Sequence, residues 1–230
     1  MKPIALALIL LAAPLVAANK PKFPATEVFD KVLEAQDNLA WSKAEVVKEE
    51  KNGKKKPSIS KGTLYSKPGG VARLELTEPS PTLIVSDGTH LFMELTEVNQ
   101  VMQYSSKKLR QSGNFFLDLA PTIRHYAKAS YRRLVMPGPG FDVDRISALE
   151  LQPLKPQQAG FELLRVWVDQ KDWSILQVRL DFGGTQNTIK FSQRKAVTKV
   201  DMAKDPKLDL DPKLFTYKAP KGFEVFDLDL

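Results

Sequence analysis

Hydrophobic and polar residues alternate along most of the chain, a pattern that is typical of half-buried β-strands. It is clearest in one segment, where the apolar positions are Leu176, Val178, Leu180 and Phe182 and the polar positions between them are Gln177, Arg179 and Asp181. The same period predicts strands near residues 39–50, 58–66, 71–77, 82–86, 91–95, 98–105, 130–136, 148–153, 162–168, 175–182 and 187–195. Because consecutive strands with short connections pair antiparallel, we expect one large curved sheet with few helices.

Two segments have the helical period instead. Residues 24–38 place Val28, Phe29, Val32 and Leu33 on one face, with Pro24 suited to the first turn. Residues 114–128 carry Phe115, Phe116, Leu119 and Ile123 at helical spacing. The second helix is either a movable cover over the sheet or a permanent part of the core, and the sequence leaves both interpretations open.

The N-terminal residues 1–18 have the pattern of a secretory signal peptide. Lys2 precedes a short apolar run that ends in the small residues Ala17 and Ala18. We therefore expect residues 19–230 to form one exported domain, in the periplasm of a bacterium, and to behave as a monomer.

Composition narrows the chemistry further. The 230 residues include 34 Lys and Arg, 27 Asp and Glu, and no cysteine. This excludes disulfides, cysteine nucleophiles, Cys-ligated zinc and iron–sulfur clusters. We expect no cofactor.

No common catalytic motif occurs in the chain. A hydrolase would have to use Ser86, Asp87 and His90, which lie within five residues of one another. The string from Ser86 to Thr89 is instead typical of a turn in which Asp87 caps the loop and Gly88 has a positive φ. We therefore predict that the protein has no catalytic residues and is not an enzyme.

The acidic pairs Asp209 with Asp211 and Asp227 with Asp229 are candidates for cation ligands. Cation loops need more oxygen ligands and a glycine at the sharp bend. A solvated acidic surface is the simpler interpretation, so we predict no metal site.

Lysines cluster around the turn at Asn52 and Gly53, which is a strong hairpin signal. The cluster contains Lys48, Lys51, Lys54, Lys55 and Lys56, and a second basic group contains Lys107, Lys108 and Arg110. Such groups attract anionic lipid headgroups or an acidic protein, or they only keep a hairpin tip soluble. Nucleic acid is disfavoured because export removes the usual partners and no aromatic-basic motif occurs.

One ordered set of strings resembles a known family. It comprises the string 62–76 (GTLYSKPGGVARLEL), Pro79, the string 83–92 (LIVSDGTHLF), the segments 149–153, 166–169 and 175–178, and the ending 214–225. In this order the strings resemble the LolA-like periplasmic carriers of outer-membrane lipoproteins. The strongest landmarks are Val85-Ser86-Asp87-Gly88 and the terminal pattern from Phe215 through Pro220 to Gly222.

The resemblance implies an unclosed half β-barrel of about eleven antiparallel strands, with helices over its concave face. It also implies an apolar cavity for acyl chains of lipoproteins or other lipids, a releasing ABC-type complex in the inner membrane and a receptor in the outer membrane. The family has an arginine before Pro68 that holds the lid closed, and this chain has Lys67 there. Lysine lacks the planar, multi-donor guanidinium, so Lys67 is only a candidate latch.

Alternation predicts which residues face the cavity. These are Leu64, Leu74, Leu76, Ile84, Leu149, Leu151, Val166, Val168, Leu180 and Phe182, and the predicted lid comprises Phe115, Phe116, Leu119 and Ile123. Two functions remain open: a carrier that shields acyl chains between the inner and outer membranes, or a lipid-sensing or accessory protein of the same fold that transports nothing.

Overall fold

The computed structural model describes residues 23–105, 130–156 and 161–228. Its strands are β1 (Leu39–Asn52), β2 (Ser58–Lys67), β3 (Val71–Glu78), β4 (Thr82–Asp87), β5 (His90–Leu95), β6 (Gln100–Ser105), β7 (Ser130–Val135), β8 (Ile146–Pro153), β9 (Leu163–Asp169), β10 (Ile175–Phe182), β11 (Thr185–Thr198) and β12 (Glu224–Asp227). All twelve belong to one sheet, in the order β12-β6-β5-β4-β3-β2-β1-β11-β10-β9-β8-β7. Because β12 and β7 end this order, the sheet is an unclosed half-barrel.

The centre of the sheet is the antiparallel pair β1 and β11, each 14 residues long. The pairing runs from Leu39 opposite Thr198 to Asn52 opposite Thr185. An extra residue on β11 is accommodated between Lys43 and Glu45 of β1, and Gln193 has a positive φ of 45° there. This central pair joins two halves: β2–β6 with β12 on one side, and β10–β7 on the other.

Helix α1 (Ala25–Asp37) precedes β1 and packs against β7 and β8. It begins after Pro24, whose fixed φ suits a helix start, and it presents Val28, Phe29 and Val32 as a buried stripe. Burial of each such side chain favours folding by about 2 kcal/mol before entropy is counted. The helix predicted from the apolar period of residues 24–38 is therefore confirmed.

The face of the sheet that carries α1 is called the inner face here. One of its clusters, the helix-covered cluster, contains the three helix residues together with Leu149, Leu151, Phe161, Leu164, Val166, Val168, Ile175, Val178 and Leu180. The other, the strand-only cluster, contains Val46, Ala72, Leu74, Ile84, Leu91 and Ile189. Val178 is paired with Ile189 across β10 and β11, and cross-strand partners share a face. The two clusters are therefore parts of one inner face.

The opposite, outer face of the β2–β6 half is covered by the C-terminal segment, residues 199–223. This segment begins with helix α2 (Lys199–Lys204), in which Thr198 and Asp201 form a reciprocal capping box, and continues through two 3₁₀ turns, Pro206–Leu208 and Pro212–Phe215. The Trp41 indole donates to the Leu208 carbonyl at 2.8 Å. Phe215 is buried, and its turn contacts β3 and β4.

The predicted unclosed half-barrel of antiparallel strands is confirmed, and two details of its strands differ from the expectation. The sheet has twelve strands instead of about eleven, because residues 224–227 add β12, and β12 pairs parallel with β6 whereas the other pairs are antiparallel. The strand expected at 98–105 begins only at Gln100. A 3₁₀ turn occupies Thr96–Val98, and Asn99 takes the left-handed conformation with φ 52°.

The alternation inferred for β10 also breaks at its first residues. A bulge lies between Ile175 and Gln177 in the pairing with β9. As a result Ile175 joins the helix-covered cluster, and Leu176 packs on the outer face against a cluster of Ile146, Ala148 and Trp167. A bulge shifts the following register by one residue, which explains the change of face.

Candidate functional site

Nine of the ten residues predicted to face the cavity lie in the two inner-face clusters. Leu64, Leu74, Leu76 and Ile84 belong to or pack against the strand-only cluster. Leu149, Leu151, Val166, Val168 and Leu180 belong to the helix-covered cluster. Their contact with lipid stays a prediction. The five residues of the second group already pack with α1, so the first group is the better candidate for a ligand.

Phe182 differs from the other nine. It is the last residue of β10, it is 47% exposed, and it belongs to neither cluster. Its position two residues after Leu180 places it on the inner face, as the alternation predicts. It lies at the rim because the strand ends there.

The described residues of the strand-only cluster are apolar and lie on strands. In the part of the chain that the structure describes, no helix residue belongs to it. Its core residues are at most 7% exposed. The partly buried residues packed against it are Leu64, Leu76, Met93, Tyr104 and Phe191.

Several inner-face residues were missing from the sequence-based set. Those of the strand-only cluster include Val46, Leu91, Met93, Tyr104, Ile189 and Phe191. The same alternation would have identified Leu91 and Met93 in β5. Phe191 packs against both clusters and so lies where the two halves meet, which follows only from the pairing of β1 with β11.

Gly62 has a structural role at the start of the family-like string. A Cβ atom at this position would lie 1.9 Å from the Glu75 carbonyl oxygen on β3. A register shift between Lys61 and Gly62 occurs at this same place. Only glycine permits this approach of the two backbones.

The predicted lid residues Phe115, Phe116, Leu119 and Ile123 lie outside the described residues, as does the predicted signal peptide. The candidate latch, Lys67, is described. Its ammonium donates to Asp209 Oδ1 at 2.9 Å and lies 5.4 Å from the centre of the Phe215 ring. Lys67 thus engages the C-terminal segment on the outer face, while its role as a latch for a lid stays a prediction.

The contact with Lys67 stabilises the charged form of the Asp209 carboxylate. The hydrogen bond from Lys67 lowers the pKa of Asp209 below its ordinary value. Asp211 accepts from the Lys213 N–H at 2.9 Å and caps the following 3₁₀ turn. Asp209 and Asp211, one of the two acidic pairs considered as cation ligands, therefore have protein partners, whereas Asp229 of the other pair lies outside the described residues. The described residues contain no group of three or more His, Asp or Glu that could hold a metal ion.

The outer face of the β7–β10 half carries buried charge. Glu150 is 1% exposed and accepts from Arg133 Nε at 2.6 Å and from Arg165 Nε at 2.8 Å. Burial opposes ionisation of Glu150, but the hydrogen bonds from Arg165 and Arg133 outweigh it and lower the pKa of this carboxyl. Paired in this way, the charge is compatible with burial.

A second buried carboxylate, Asp169, is held in the same half of the sheet. Arg145 donates to both of its oxygens, and the Lys171 N–H donates to one of them at 3.0 Å. The Arg145 hydrogen bonds lower the pKa of Asp169 despite its burial. Two carboxylates of this half therefore stay ionised inside the protein.

The segment from Ser86 to His90, which contains the candidate residues for a hydrolase, forms a turn. Asp87 Oδ1 accepts from the backbone N–H groups of Thr89 and His90, each at 2.7 Å, and Gly88 has φ 93°. Burial opposes ionisation of Asp87, but these bonds outweigh it and lower the pKa of Asp87. The prediction that Asp87 caps a turn is confirmed.

None of the helices in the described ranges is long and apolar enough to cross a membrane.

Comparison with known proteins agrees with this architecture. Residues 43–204 match the sequence profile of the family described as "Outer membrane lipoprotein carrier protein LolA". No curated protein has a significantly similar sequence.

Several solved structures resemble this chain at low sequence identity. An uncharacterised conserved protein from Thermus thermophilus is 16% identical, with a TM-score of 0.50, over 88% of this chain and 98% of its own. A LolA superfamily protein from Nitrosomonas europaea is 14% identical, with a TM-score of 0.44, over 85% and 98%. The Pseudomonas aeruginosa MucA/MucB complex gives 14% identity and a TM-score of 0.45 over 81% of this chain and 61% of the matched chain.

The family match spans most of the chain, from within β1 to the end of α2, and the sheet it covers is the unclosed half-barrel described above. The chain therefore belongs to the LolA family of outer membrane lipoprotein carrier proteins.

Proposed function

We propose that this protein is a periplasmic carrier that shields the acyl chains of lipoproteins, or of another lipid, on the inner face of its sheet. The observation that supports this most directly is the strand-only cluster, a continuous buried apolar cluster across β1–β5 and β11, with partly buried side chains packed against it and no contribution from a described helix residue. Membership of the LolA family gives the fold a lipid- or lipoprotein-binding character.

The strand-only cluster suits reversible binding of a flexible hydrocarbon. Each methylene taken out of water contributes about 0.8 kcal/mol, so even a few methylenes per acyl chain give useful affinity. Its edge residues Leu64, Leu76, Met93 and Tyr104 are only partly buried. A ligand on this surface therefore gains apolar contacts without having to displace α1.

Within this proposal the protein receives its cargo from an ABC-type complex in the inner membrane and delivers it to a receptor in the outer membrane. These partners are carried over from the family resemblance. Residues 1–18 direct export and are removed, so that the mature protein begins near Asn19.

The first test is native mass spectrometry of the protein purified from its own envelope. We expect an additional mass that fragments into fatty-acyl groups. N-terminal sequencing of the same sample checks the predicted start at Asn19. A protein that is free of acylated mass and does not bind an acyl probe would contradict the proposal.

A matched pair of variants locates the site. Leu64→Ser with Leu76→Ser removes apolar surface at the edge of the strand-only cluster. The control, Leu83→Ser, changes a half-buried leucine of β4 that is paired with Glu75 and Glu94 on the outer face. We expect fluorescent fatty-acyl probe affinity to fall about ten-fold in the first variant, since 1.4 kcal/mol is a factor of ten, and to stay unchanged in the control.

Transfer separates the two functions left open by the sequence. A carrier should pass a bound acylated peptide to an acceptor membrane fraction faster than the peptide leaves by itself. Tight binding without such transfer would favour a lipid-sensing or accessory role.

A further inference from the structure

The tip of the β1–β2 hairpin, residues 51–56, is a concentrated positive charge. It contains Lys51, Lys54, Lys55 and Lys56, no acidic residue, and all six positions are exposed. The nearest ion pairs formed by the two strands hold other lysines: Lys48 with Glu50 at 3.4 Å and Lys61 with Glu78 at 3.0 Å. Glu50 and Glu78 are thus paired with lysines outside the tip, and Glu49 is the other carboxylate close to it in β1, so the four lysines of the tip outnumber the nearby acidic groups.

The tip is held by the rest of the sheet. The Gly53 N–H donates to the Gly184 carbonyl at 3.3 Å, and the Thr185 hydroxyl donates to the Asn52 side chain. The Lys55 N–H donates to the Asn52 carbonyl at 3.0 Å and closes the turn. Because the neighbouring β10–β11 turn supports the tip, its lysines are presented at a fixed end of the half-barrel.

Two large apolar side chains are exposed beside this charge. Phe182 ends β10 next to Thr185 and is 47% exposed, and Ile59, at the start of β2, is 51% exposed. Phe182 is on the inner face, whereas Ile59 is paired with Glu49 on the outer face. The lysine tip therefore has an exposed apolar group on each side of the sheet.

We propose that this end of the half-barrel docks on a bilayer that contains anionic lipids. The four lysines bind the headgroup phosphates, and Phe182 and Ile59 enter the interface between the headgroups and the acyl chains. Lysines beside exposed apolar groups match the two components of such a surface, negative charge outside and hydrocarbon beneath. An acidic protein would satisfy the lysines but would give no reason for two flanking exposed apolar side chains.

This docking goes beyond the proposed function, because it concerns the membrane surface and requires no bound cargo. It can fail while the strand-only cluster still binds acyl chains, and it can hold if that cluster binds none. Its test therefore uses the mature chain and vesicles without any lipoprotein.

The experiment is co-sedimentation with vesicles of phosphatidylethanolamine and about one-third phosphatidylglycerol, beside vesicles of phosphatidylcholine alone. The test variant changes Lys51, Lys54, Lys55 and Lys56 to Gln. The control changes four exposed lysines of the C-terminal segment to Gln: Lys199, Lys204, Lys207 and Lys213. Both variants lose the same net charge, so only the position of the charge differs.

We expect the test variant to bind anionic vesicles at least ten-fold more weakly than the wild type, and the control to change by less than about three-fold. Binding by the wild type should weaken with added salt, because screening shortens the reach of the lysines. Equal losses in both variants, or equal binding to phosphatidylcholine vesicles, would overturn the proposal.

Phe182→Ser tests the apolar component without changing charge. We expect anionic-vesicle binding to fall about five-fold, with Phe226→Ser, a change of an exposed aromatic on β12, as the control. Circular dichroism confirms that each variant is folded. Binding of the wild-type tip to soluble polyglutamate but not to vesicles would overturn the membrane proposal and favour an acidic protein partner.

Discussion

The β7–β10 half of the sheet and the β2–β6 half are covered on opposite faces. In the first, α1 covers the inner face, and the outer face carries the buried pairs of Glu150 and Asp169 with arginines. In the second, the C-terminal segment covers the outer face, and the inner face holds the strand-only cluster. The first half has α1 packed on its inner face, whereas no described helix residue contributes to the strand-only cluster of the second half, and this is the half to which the proposed function assigns the ligand.

The largest effect should come from the contact between α1 and the sheet. Phe29→Ala removes a ring that is 5% exposed and that lies 5.1 Å from the Arg132 guanidinium. We expect unfolding free energy, measured in urea, to fall by about 3 to 5 kcal/mol. The folded fraction should keep its acyl-probe affinity.

The control for this prediction is Phe226→Ala on the exposed strand β12, which should change stability little. A fall in probe affinity of folded Phe29→Ala protein would place the ligand in the helix-covered half and would break the comparison.

A smaller loss should follow Glu150→Gln, because it leaves Arg165 without its buried carboxylate. We expect the free energy of unfolding at neutral pH to fall by about 2 to 3 kcal/mol. This loss is smaller than for a fully enclosed ion pair because Arg133 is exposed. Glu97→Gln, on an exposed turn, is the control and should have little effect.

The same carboxylates predict a pH dependence. The pKa values of Glu150 and Asp169 are lowered in the folded protein, so their stabilisation is present above the ordinary carboxyl values of about 4 and is lost as pH falls through the folded values. Urea unfolding between pH 7 and about pH 3 should show this fall. Glu150→Gln should reduce its slope, and an unchanged slope would show that folding does not lower the pKa of Glu150.

The next-largest effect on stability is expected for a contact made by Tyr217, next to the C-terminal segment's turn Pro212–Phe215. The Tyr217 hydroxyl donates to Glu94 Oε2 at 2.9 Å, and its ring stacks on Phe92 at 5.1 Å. Burial, followed by this contact with Glu94, raises the pKa of Tyr217. Tyr217→Phe should lower the free energy of unfolding, measured in urea, by about 1 kcal/mol. The control, Tyr131→Phe at an exposed position of β7, should not change it measurably.

The smallest effect on stability is expected for Lys67→Met, which removes a half-exposed ion pair with Asp209 and should cost about 0.5 kcal/mol. The Lys67→Met variant is more informative in the binding assay. If Lys67 only ties down the C-terminal segment, acyl-probe affinity should stay the same. A rise in affinity would support the predicted latch and would show that the two faces of the β2–β6 half are coupled.

The regular elements were predictable because their patterns are local. Each predicted strand depends on alternation within about five to twelve residues, and α1 depends on one stripe of apolar residues. The alternation also places nine of the ten chosen residues in the inner-face clusters, since an inner face must bury every second side chain.

What the sequence could not show depends on distant contacts. The bulge at Ile175 is a property of the pairing of β10 with β9, and it alone moves Leu176 to the outer face. Strand β12 has four exposed residues and exists because the chain returns to β6. The engagement of Lys67 by Asp209 joins residues 142 positions apart, for which no local pattern exists.

The central pair of β1 with β11 has a consequence for how the molecule is assembled. It joins Asn52 to Thr185 across 133 positions, so closing this seam costs more chain entropy than closing the hairpins on either side. Until β11 has been synthesised, β1 is an unpaired edge that invites intermolecular pairing. A chain that ends before residue 185 therefore loses the connection between the two halves of the inner face. It also exposes β1 as an aggregation-prone edge strand.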